Sequence, residues 1–207
     1  MFNNIKEILI ATTNPGKIKE IQSCFDEKIK LLSLKDFPEI EEIVEDGMTF
    51  EENSRKKALS YAKATDCLTI ADDSGLSIDA LNGAPGVNSA RFSGDKLKNE
   101  DRTLIDHRNI RKVLKLLQNV SKDKRTARFV CCICLAKPDK ILLETRGTLE
   151  GVVIDKEIGN NGFGYDPILF IPSMNKTVAQ LTQEEKNLIS HRGKAIRLLK
   201  EKMEKYL

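Results

Sequence analysis

The chain has 207 residues, a length that suits one domain with a full hydrophobic core. Its 34 basic and 31 acidic residues leave a formal net charge of +3, so neither a nucleic acid nor an acidic membrane is expected as a partner. The five cysteines lack the paired CxxC or Cys/His spacing of a zinc site, which favours buried thiols. The N-terminus lacks the apolar core of a signal peptide, so a cytoplasmic protein is favoured over a secreted one.

The segment Ile8–Lys17 predicts a strand, a tight loop and the start of a helix. An apolar run gives way to small and polar residues, after which apolar residues recur at helical spacing. Asn14 is a favourable N-cap, and Pro15 suits the first helical position. The free N–H groups of such a helix start, together with the ammonium of Lys17, would form a site for phosphate.

Two other interpretations of this segment exist. A Walker A loop is disfavoured, because Ala11 and Ile18 stand where that motif requires glycine and a serine or threonine. An ordinary capped helix with a solvated lysine stays open, since strand–loop–helix units are common and carry no function by themselves.

Three further elements precede an acidic segment. A short strand is predicted around Lys30–Leu34, followed by a helix that Thr49 caps, with Glu52 where a capping box requires an acid. A strand over Cys67–Ala71 is then predicted to end abruptly at the segment Asp72–Gly75.

The remaining pattern alternates less regularly. It predicts a loop at 83–94, a helix at 104–117 and a β-hairpin made of strands at 127–136 and 141–147. It also predicts a further strand at 151–154 and two C-terminal helices at 182–188 and 195–203, with a break near Ser190–Gly193. Strands and helices that alternate first, with a hairpin later, indicate an α/β fold with a mixed sheet. We expect residues 1–207 to form a single domain.

Asp72 and Asp73 are candidate metal-site carboxylates. In open α/β sheets, ligands gather at the carboxyl ends of strands, where these two residues are predicted to lie before a Ser-Gly turn. Adjacent carboxylates repel one another unless a cation or donors hold them, and strand alternation lets only one point into a site. Mg²⁺ is the natural cation, with Glu45 as a plausible second carboxylate. The alternative is that Asp72–Gly75 merely forms a turn.

Two later motifs could complete a nucleotide site. The glycine-rich segment Phe163–Asp166 offers rings that could stack on a base and a carboxylate that could accept a hydrogen bond, although Phe163 could equally pack on the core. His191 and Arg192 would place two donors in the bend between the last helices. His107 is interpreted as structural or solvated.

Taken in order, these blocks resemble the inosine triphosphate pyrophosphatase family. The matching blocks are Thr12–Lys17, Glu45–Asn53, Ala71–Gly75, Gly162–Pro167 and Glu185–Asn187 with Ser190–Arg192, and Gly83–Gly86 with Ser89–Arg91 matches as well. They span nearly the whole chain.

The resemblance implies an elongated two-lobed α/β fold, with a central mixed, twisted sheet flanked by helices and a cleft between the lobes. It implies Mg²⁺-dependent hydrolysis of deaminated purine nucleoside triphosphates (ITP, dITP and XTP) between the α- and β-phosphates. The products would be a nucleoside monophosphate and pyrophosphate, and removal of these nucleotides would prevent their incorporation into DNA and RNA. A cytoplasmic homodimer is implied too.

The resemblance also assigns roles to residues. Asp73 would be the proton acceptor, and Glu45 and Asp73 would bind Mg²⁺. The residues assigned to substrate are Thr12, Thr13, Asn14, Pro15, Gly16, Lys17, Ser74, Phe163, Gly164, Tyr165, Asp166, Lys186, His191 and Arg192.

Hydrogen bonding partly accounts for the expected choice of base. Inosine and xanthosine carry a 6-oxo acceptor where adenine carries a 6-amino donor, so the donors of His191 and Arg192 would match the former and reject the latter. A pyrophosphatase of modified pyrimidine nucleotides is the nearest alternative. A non-catalytic nucleotide-binding protein is less favoured, because binding alone does not need both Glu45 and Asp73 beside a polyanion. A nucleic-acid-binding module is weaker still.

Overall fold

The computed structural model describes residues 7–25, 29–94 and 101–206. The segment 1–6, on which the expectation about a signal peptide rests, lies outside the described residues. In chain order the strands and α-helices are β1 (Glu7–Ile10), α1 (Pro15–Gln22), β2 (Lys30–Ser33), α2 (Phe50–Thr65), β3 (Thr69–Ile78), α3 (Arg102–Leu117), β4 (Thr126–Lys137), β5 (Lys140–Val153), β6 (Leu169–Ile171), β7 (Lys176–Thr177), α4 (Gln183–Ile189) and α5 (His191–Tyr206).

The strands form one mixed sheet, which confirms the predicted α/β class. Within the described residues its order is β2-β1-β3-β4-β5-β6-β7. β1 pairs in parallel with β2 and β3, whereas β6 pairs antiparallel with β5 and β7. None of the helices in the described ranges is long and apolar enough to cross a membrane.

The chain divides into two compact units. Unit 1 comprises the described residues up to Asp73 together with 131–147 and 190–206, and unit 2 comprises those of 74–130 and 148–189.

Unit 1 has apolar packing on both faces of its strands. On one face, Ile21 of α1 and Ile196 of α5 belong to a buried cluster with Ile8, Ile10 and Ile70. On the other face, α2 contributes Ala58, Tyr61 and Ala62 to a second cluster. This alternation of strand side chains between two helical layers is the usual α/β arrangement, and it fixes the direction in which each β3 residue points.

Unit 2 has its own core. Helix α3 buries Ile110, Val113 and Leu117 against Leu76 and Phe129. The stripe follows the i, i+3, i+7 spacing that predicted this helix, so the pattern and the packing agree.

Several local predictions are confirmed. Asn14 caps α1 with Pro15 at its first turn, and Thr49 and Glu52 form a capping box at the start of α2. The predicted hairpin is present as β4 and β5, joined at Pro138 and Asp139. All five cysteines are free thiols, but only Cys131, Cys132 and Cys134 are buried as predicted, and the other two are half-buried.

The prediction that a strand ends at Asp72 is wrong. β3 continues to Ile78, so Asp72–Gly75 lie inside a strand and form no turn. The turn preference of Asp, Ser and Gly is overridden because β4 is hydrogen-bonded along β3. The parallel neighbour β1 does stop at Ile10, opposite Ile70, and Asp72 and Asp73 extend past its carboxyl end.

Three boundaries also differ from prediction. The separate strand expected at 151–154 is the continuation of β5. The break near Ser190–Gly193 is confined to Ser190, since His191 already begins α5. Part of the predicted loop 83–94 is a 3₁₀ helix over Gly86–Arg91.

Gly147 lets α5 approach β5 closely. A Cβ atom at this position would lie 2.1 Å from the carbonyl oxygen of His191 and 2.8 Å from the amide nitrogen of Ala195. Both atoms belong to a helix backbone that is itself packed in the core, so neither can move aside easily.

We expect Gly147→Ala to lower the free energy of unfolding by about 1–3 kcal/mol, because forced overpacking of a dense core costs that much. Urea unfolding of the purified variant measures the loss. Glu150→Ala is the matched control on the same strand, since it removes only the exposed ion pair with Arg128. An unfolding midpoint for Gly147→Ala equal to that of the control would contradict the prediction.

Candidate active site

The candidate site of unit 1 is organised by two adjacent carboxylates of β3. Asp72 and Asp73 are 1% and 4% exposed. Because neighbouring strand residues point to opposite faces, Asp72 lies on the side of α1 and α5 and Asp73 on the side of α2. Their contacts agree with this, since Asp72 pairs with Arg192 of α5 and Asp73 accepts from Asn53 of α2.

Asp72 is surrounded by cations. The Nζ of Lys17 lies 3.0 Å from Asp72 Oδ1, and the Nη2 of Arg192 lies 3.1 Å from Oδ2. Arg192 is 1% exposed and its Nη1 also donates to Glu20. Burial would raise the pKa of Asp72, but the charges of Lys17, Arg192 and Lys57 outweigh it and hold the pKa well below its usual range. Asp72 is thus a permanently ionised anchor.

Asp73 has a different environment. Its Oδ2 accepts a hydrogen bond of 2.9 Å from Nδ2 of Asn53. Burial raises the pKa of Asp73, and the carboxylate of Glu45 raises it further, against the lowering effect of Lys57 and Lys17. The net direction is upward, which makes Asp73 a better proton acceptor than an ordinary aspartate.

Lys57 joins the two sides of the site. Its Nζ lies 2.8 Å from Glu45 Oε1 and donates to the backbone oxygen of Asp72 at 2.6 Å. Burial lowers its pKa, but Glu45, Asp72 and Asp73 together raise it, so the net shift is upward and the ammonium stays charged. A buried ammonium amid three carboxylates marks a place where negative charge is concentrated.

Asn53 also fixes the segment that carries Glu45. Its Oδ1 accepts from the backbone N–H of Gly47 at 2.8 Å, while its Nδ2 holds Asp73. A Cβ at Gly47 would lie 2.7 Å from this Oδ1, so only glycine allows the approach. One buried amide therefore ties the loop of Glu45 to the carboxylate of Asp73.

A small polar cavity of about 40 Å³ lies beside these groups. It is lined by Thr12, Thr13, Glu45 and Lys57, among others. The described residues hold no group of three or more His, Cys, Asp or Glu side chains placed to bind a metal. Glu45 and Asp73 nevertheless supply the hard carboxylate oxygens that Mg²⁺ prefers, and that ion commonly takes only one or two of them from protein.

The strand, loop and helix start predicted for Ile8–Lys17 are present, with two corrections. Asn14 Oδ1 accepts from the N–H groups of Gly16 and Lys17, so the prediction that these helix-start groups are free is wrong for those two. Thr12 Oγ1 in turn accepts from Asn14 N–H. The alternative of a solvated lysine is also wrong, since Lys17 is mostly buried against Asp72.

The first turn of α5 carries His191 and Arg192. Ser190 Oγ accepts from Gly193 N–H and caps the turn. His191 is 6% exposed, and both predicted donors are thus held in a helix and not in a flexible bend.

Unit 2 holds the other predicted residues. Asp166 Oδ2 accepts from Lys186 Nζ at 2.6 Å and from Phe163 N–H at 3.0 Å. The same ammonium lies 4.8 Å from the centre of the half-buried Phe163 ring. Tyr165 is buried in the core, and its hydroxyl donates to the carbonyl of Ser89. Ser74, on β3, is half-buried.

Sequence analysis missed three buried polar residues of this site, Glu20, Asn53 and Lys57. A signal was available for two of them. Asn53 and Lys57 lie one helical turn apart on the same stripe as the buried Ala58 and Tyr61, where an apolar residue would be expected. Glu20 gave no comparable signal.

A protein-family model described as the Ham1 family matches residues 8–202. The dITP/XTP pyrophosphatase of Shouchella clausii is 48% identical over 200 residues, which cover 97% of this chain and 98% of that protein. The dITP/XTP pyrophosphatase of Bacillus anthracis is 46% identical over 202 residues, 96% of each chain.

Solved structures agree. The Staphylococcus aureus Ham1 protein superposes with a TM-score of 0.83 at 42% identity, covering 96% of this chain and 98% of that one. A HAM1 protein from Coxiella burnetii gives a TM-score of 0.84 at 40% identity, covering 97% and 99%. The similarity therefore extends over both units.

Removal of the Arg192 guanidinium should destabilise the fold strongly. We expect Arg192→Met to lower the free energy of unfolding by about 3–5 kcal/mol, because it leaves Asp72 and Glu20 as buried carboxylates without their shared cation. Arg55→Met is the matched control, since its ion pair with Glu144 is largely exposed and should contribute less than about 1 kcal/mol. Urea unfolding compares the two, and equal losses would contradict this account.

Proposed function

This chain belongs to the Ham1 family, and from that premise we propose that it hydrolyses deaminated purine nucleoside triphosphates to the monophosphate and pyrophosphate. The substrates would be ITP, dITP and XTP, and their removal would keep them out of DNA and RNA. The observation that carries the proposal is identity of 45–48% over nearly the whole chain to several dITP/XTP pyrophosphatases. Because the family match spans both units, we propose that residues 1–207 work as one functional domain.

For the triphosphate, we propose binding by the segment Thr12–Lys17. The ammonium of Lys17 has three donors, so it can contact phosphate while Asp72 holds it in place. Cations and backbone donors in this position would also stabilise the charge that builds on the leaving pyrophosphate.

For the metal, we propose Mg²⁺ held by Glu45 and Asp73. The residues fit, because these two carboxylates and Asp72 already concentrate negative charge around the ammonium of Lys57. When bound, Mg²⁺ would neutralise phosphate charge and polarise the phosphorus–oxygen bonds. Asn53 would hold both carboxylates in fixed positions relative to each other, since it contacts Asp73 and the loop of Glu45 at once.

For the chemistry, we propose that Asp73 accepts a proton from the attacking water. The water oxygen bonds to the α-phosphorus, the bond from that phosphorus to the bridging oxygen of the β-phosphate breaks, and pyrophosphate leaves with the electron pair. Phosphoryl transfer depends mainly on positioning and electrostatics, which the buried contacts of Asp73 provide.

For the base, we propose contacts from Phe163, the Gly164–Asp166 segment and Lys186, with Ser74, His191 and Arg192 as further substrate residues. The ring of Phe163 is half-buried and offers a face for stacking, and Lys186 can donate to an oxo group. Donors match the 6-oxo group of hypoxanthine and xanthine and leave the 6-amino group of adenine without an acceptor.

We also propose that the protein works in the cytoplasm as a homodimer. The resemblance of its motifs to the inosine triphosphate pyrophosphatase family supports both statements, and gel filtration with light scattering would test the second.

Pyrophosphate release from ITP, dITP, XTP, GTP, ATP and dTTP tests the activity, each nucleotide being assayed with Mg²⁺ and with a chelator. We expect Mg²⁺-dependent release from the first three that exceeds release from ATP by about 10⁴-fold, the discrimination a hydrogen-bonding site can give. Preferential release from dTTP would instead indicate a pyrimidine enzyme. Nucleotide binding without release from any of the six would indicate a non-catalytic protein.

Asp73→Asn tests the assigned proton acceptor. The variant keeps the shape of the side chain and should fold, but kcat should fall by about 10²–10⁴-fold, because the amide can neither accept the proton nor bind Mg²⁺ strongly. Steady-state kinetics on ITP and a thermal melt measure both effects. Asp79→Asn is the control and should retain activity, because it alters an exposed carboxylate that forms an ion pair with Arg128. Near-normal turnover of Asp73→Asn would overturn the assignment.

A further inference from the structure

Helix α3 presents one buried carboxylate to the glycine-rich loop of unit 2. Asp106 is 8% exposed, and its Oδ2 accepts a hydrogen bond of 2.8 Å from the backbone N–H of Gly164. Its other oxygen lies 3.2 Å from Nε of Arg102, one turn earlier on the helix. Burial raises the pKa of Asp106, while Arg102 and the Gly164 N–H favour its charged form. A carboxylate in such a place needs a reason, because burial of charge is costly.

The loop that Asp106 contacts is rich in glycines with left-handed backbone angles. Gly159, Gly162 and Gly164 all have positive φ, of +88°, +79° and +62°. Such residues are conformationally permissive, so the loop loses more backbone entropy on ordering than other sequences would. Its conformation therefore depends on the hydrogen bonds that restrain it, both within the loop and from neighbouring elements.

A second set of contacts ties α3 to the same loop. Asn109, one turn after Asp106, donates through Nδ2 to the backbone oxygens of Ser89 and Ala90. The hydroxyl of Tyr165, next to Gly164, donates to the same oxygen of Ser89 at 2.9 Å. Helix α3 thus holds the loop directly at Gly164 and through Ser89 at Tyr165.

The consequence concerns the half-buried ring next to Gly164. Phe163 lies between the two anchored points, since its own N–H donates to Asp166 and the next residue is held by Asp106. The Phe163 N–H and the Lys186 ammonium still link Phe163 to Asp166, but release of Gly164 frees the permissive backbone between them to rotate, which alters the orientation of the Phe163 ring. A bond from a backbone N–H to a carboxylate is about twice as strong as a neutral one, so the bond to Asp106 restrains Gly164 strongly.

We propose that Asp106 is a positioning residue for the nucleobase, acting through the Gly164 backbone to hold Phe163 and Asp166 in their binding arrangement. The inference rests on the proposed function, because it assumes that these two residues contact the base. It gives α3 a role that neither the sequence motifs nor the side chains nearest the phosphates indicate. In this role Asp106 acts through its bond to the Gly164 backbone.

The test separates binding of the base from binding of phosphate. Asp106→Ala removes the acceptor, Asp106→Asn keeps a neutral acceptor, and Lys115→Ala is the control at an exposed position of the same helix. The inhibition constants of IMP and of pyrophosphate are measured for each variant, with KM and kcat for ITP and the melting temperature. One inhibitor carries the base and the other does not.

For Asp106→Ala we expect KM for ITP and the inhibition constant of IMP to rise about tenfold, the effect of losing one charge-assisted hydrogen bond. The constant for pyrophosphate and kcat should stay within about twofold of wild type. Asp106→Asn should show a smaller rise of about threefold, and Lys115→Ala should match wild type. Asparagine has the same shape as aspartate, so a purely steric role would predict full rescue by Asp106→Asn and not a partial one.

Two results would overturn the inference. One is a folded Asp106→Ala variant with unchanged inhibition by IMP, and the other is an equal loss for IMP and pyrophosphate, which would indicate general damage. Should Asp106→Ala fail to fold, Asp106→Asn carries the test, and an unchanged constant for IMP then counts against the proposal. Absence of activity on ITP in the wild-type enzyme would contradict the proposed function itself. That result is distinct from the two above, which concern only the role of Asp106.

Discussion

The buried charge of Asp72 is the constraint on which unit 1 depends. A carboxylate that is 1% exposed would destabilise the fold by several kcal/mol unless cations accompanied it. Lys17 of α1 and Arg192 of α5 supply them, and Glu20 of α1 balances the second positive charge. Two helices are thus tied to β3 by ion pairs as well as by apolar packing. Since Lys17 and Glu20 lie three residues apart on one helix face, a single orientation of α1 satisfies both contacts.

The neighbouring Asp73 shows how one strand can assign opposite roles to identical side chains. The pleat sends the two carboxylates to different faces, so each is governed by the helices on its own side. On the side of α1 and α5, cations depress the pKa of Asp72, and on the side of α2, burial and Glu45 raise that of Asp73. Carboxyl groups with divergent pKa values commonly divide into a fixed charge and a proton acceptor. This division needs β3 to run through both residues, and a turn at Asp72 would have destroyed it.

The sequence predicted what local chemistry determines and failed where distant partners decide. The cap at Asn14, the capping box at Thr49 and the hairpin before Lys140 depend on neighbouring residues and were predicted correctly. The course of β3 depends on pairing with β4, which a local preference for turns cannot register. The motifs named the family and most candidate residues, but Asn53 and Glu20 act through partners 20 and 172 residues away in the chain. Such pairings become visible only when the chain is folded.

The two units hold their candidate groups by different physical means, and the difference fits the work proposed for each. In unit 1 most of the groups proposed to act on the phosphates lie on β3 and α1, where burial and ion pairs leave little freedom, and Glu45 on its loop is paired with Lys57 of α2. Transfer of a phosphoryl group requires such rigidity, because small displacements of the proton acceptor weaken the electrostatic stabilisation of the transition state. In unit 2 the groups proposed for the base sit on a loop of permissive glycines that owes its shape to anchors such as Asp106 and Tyr165. Loops commonly carry the part of a site that distinguishes one ligand from another, because their sequence can change without disturbing the core. Under this proposal, substitutions at the anchors of the loop would alter recognition of the base, while the proposed proton acceptor Asp73 is buried in the sheet.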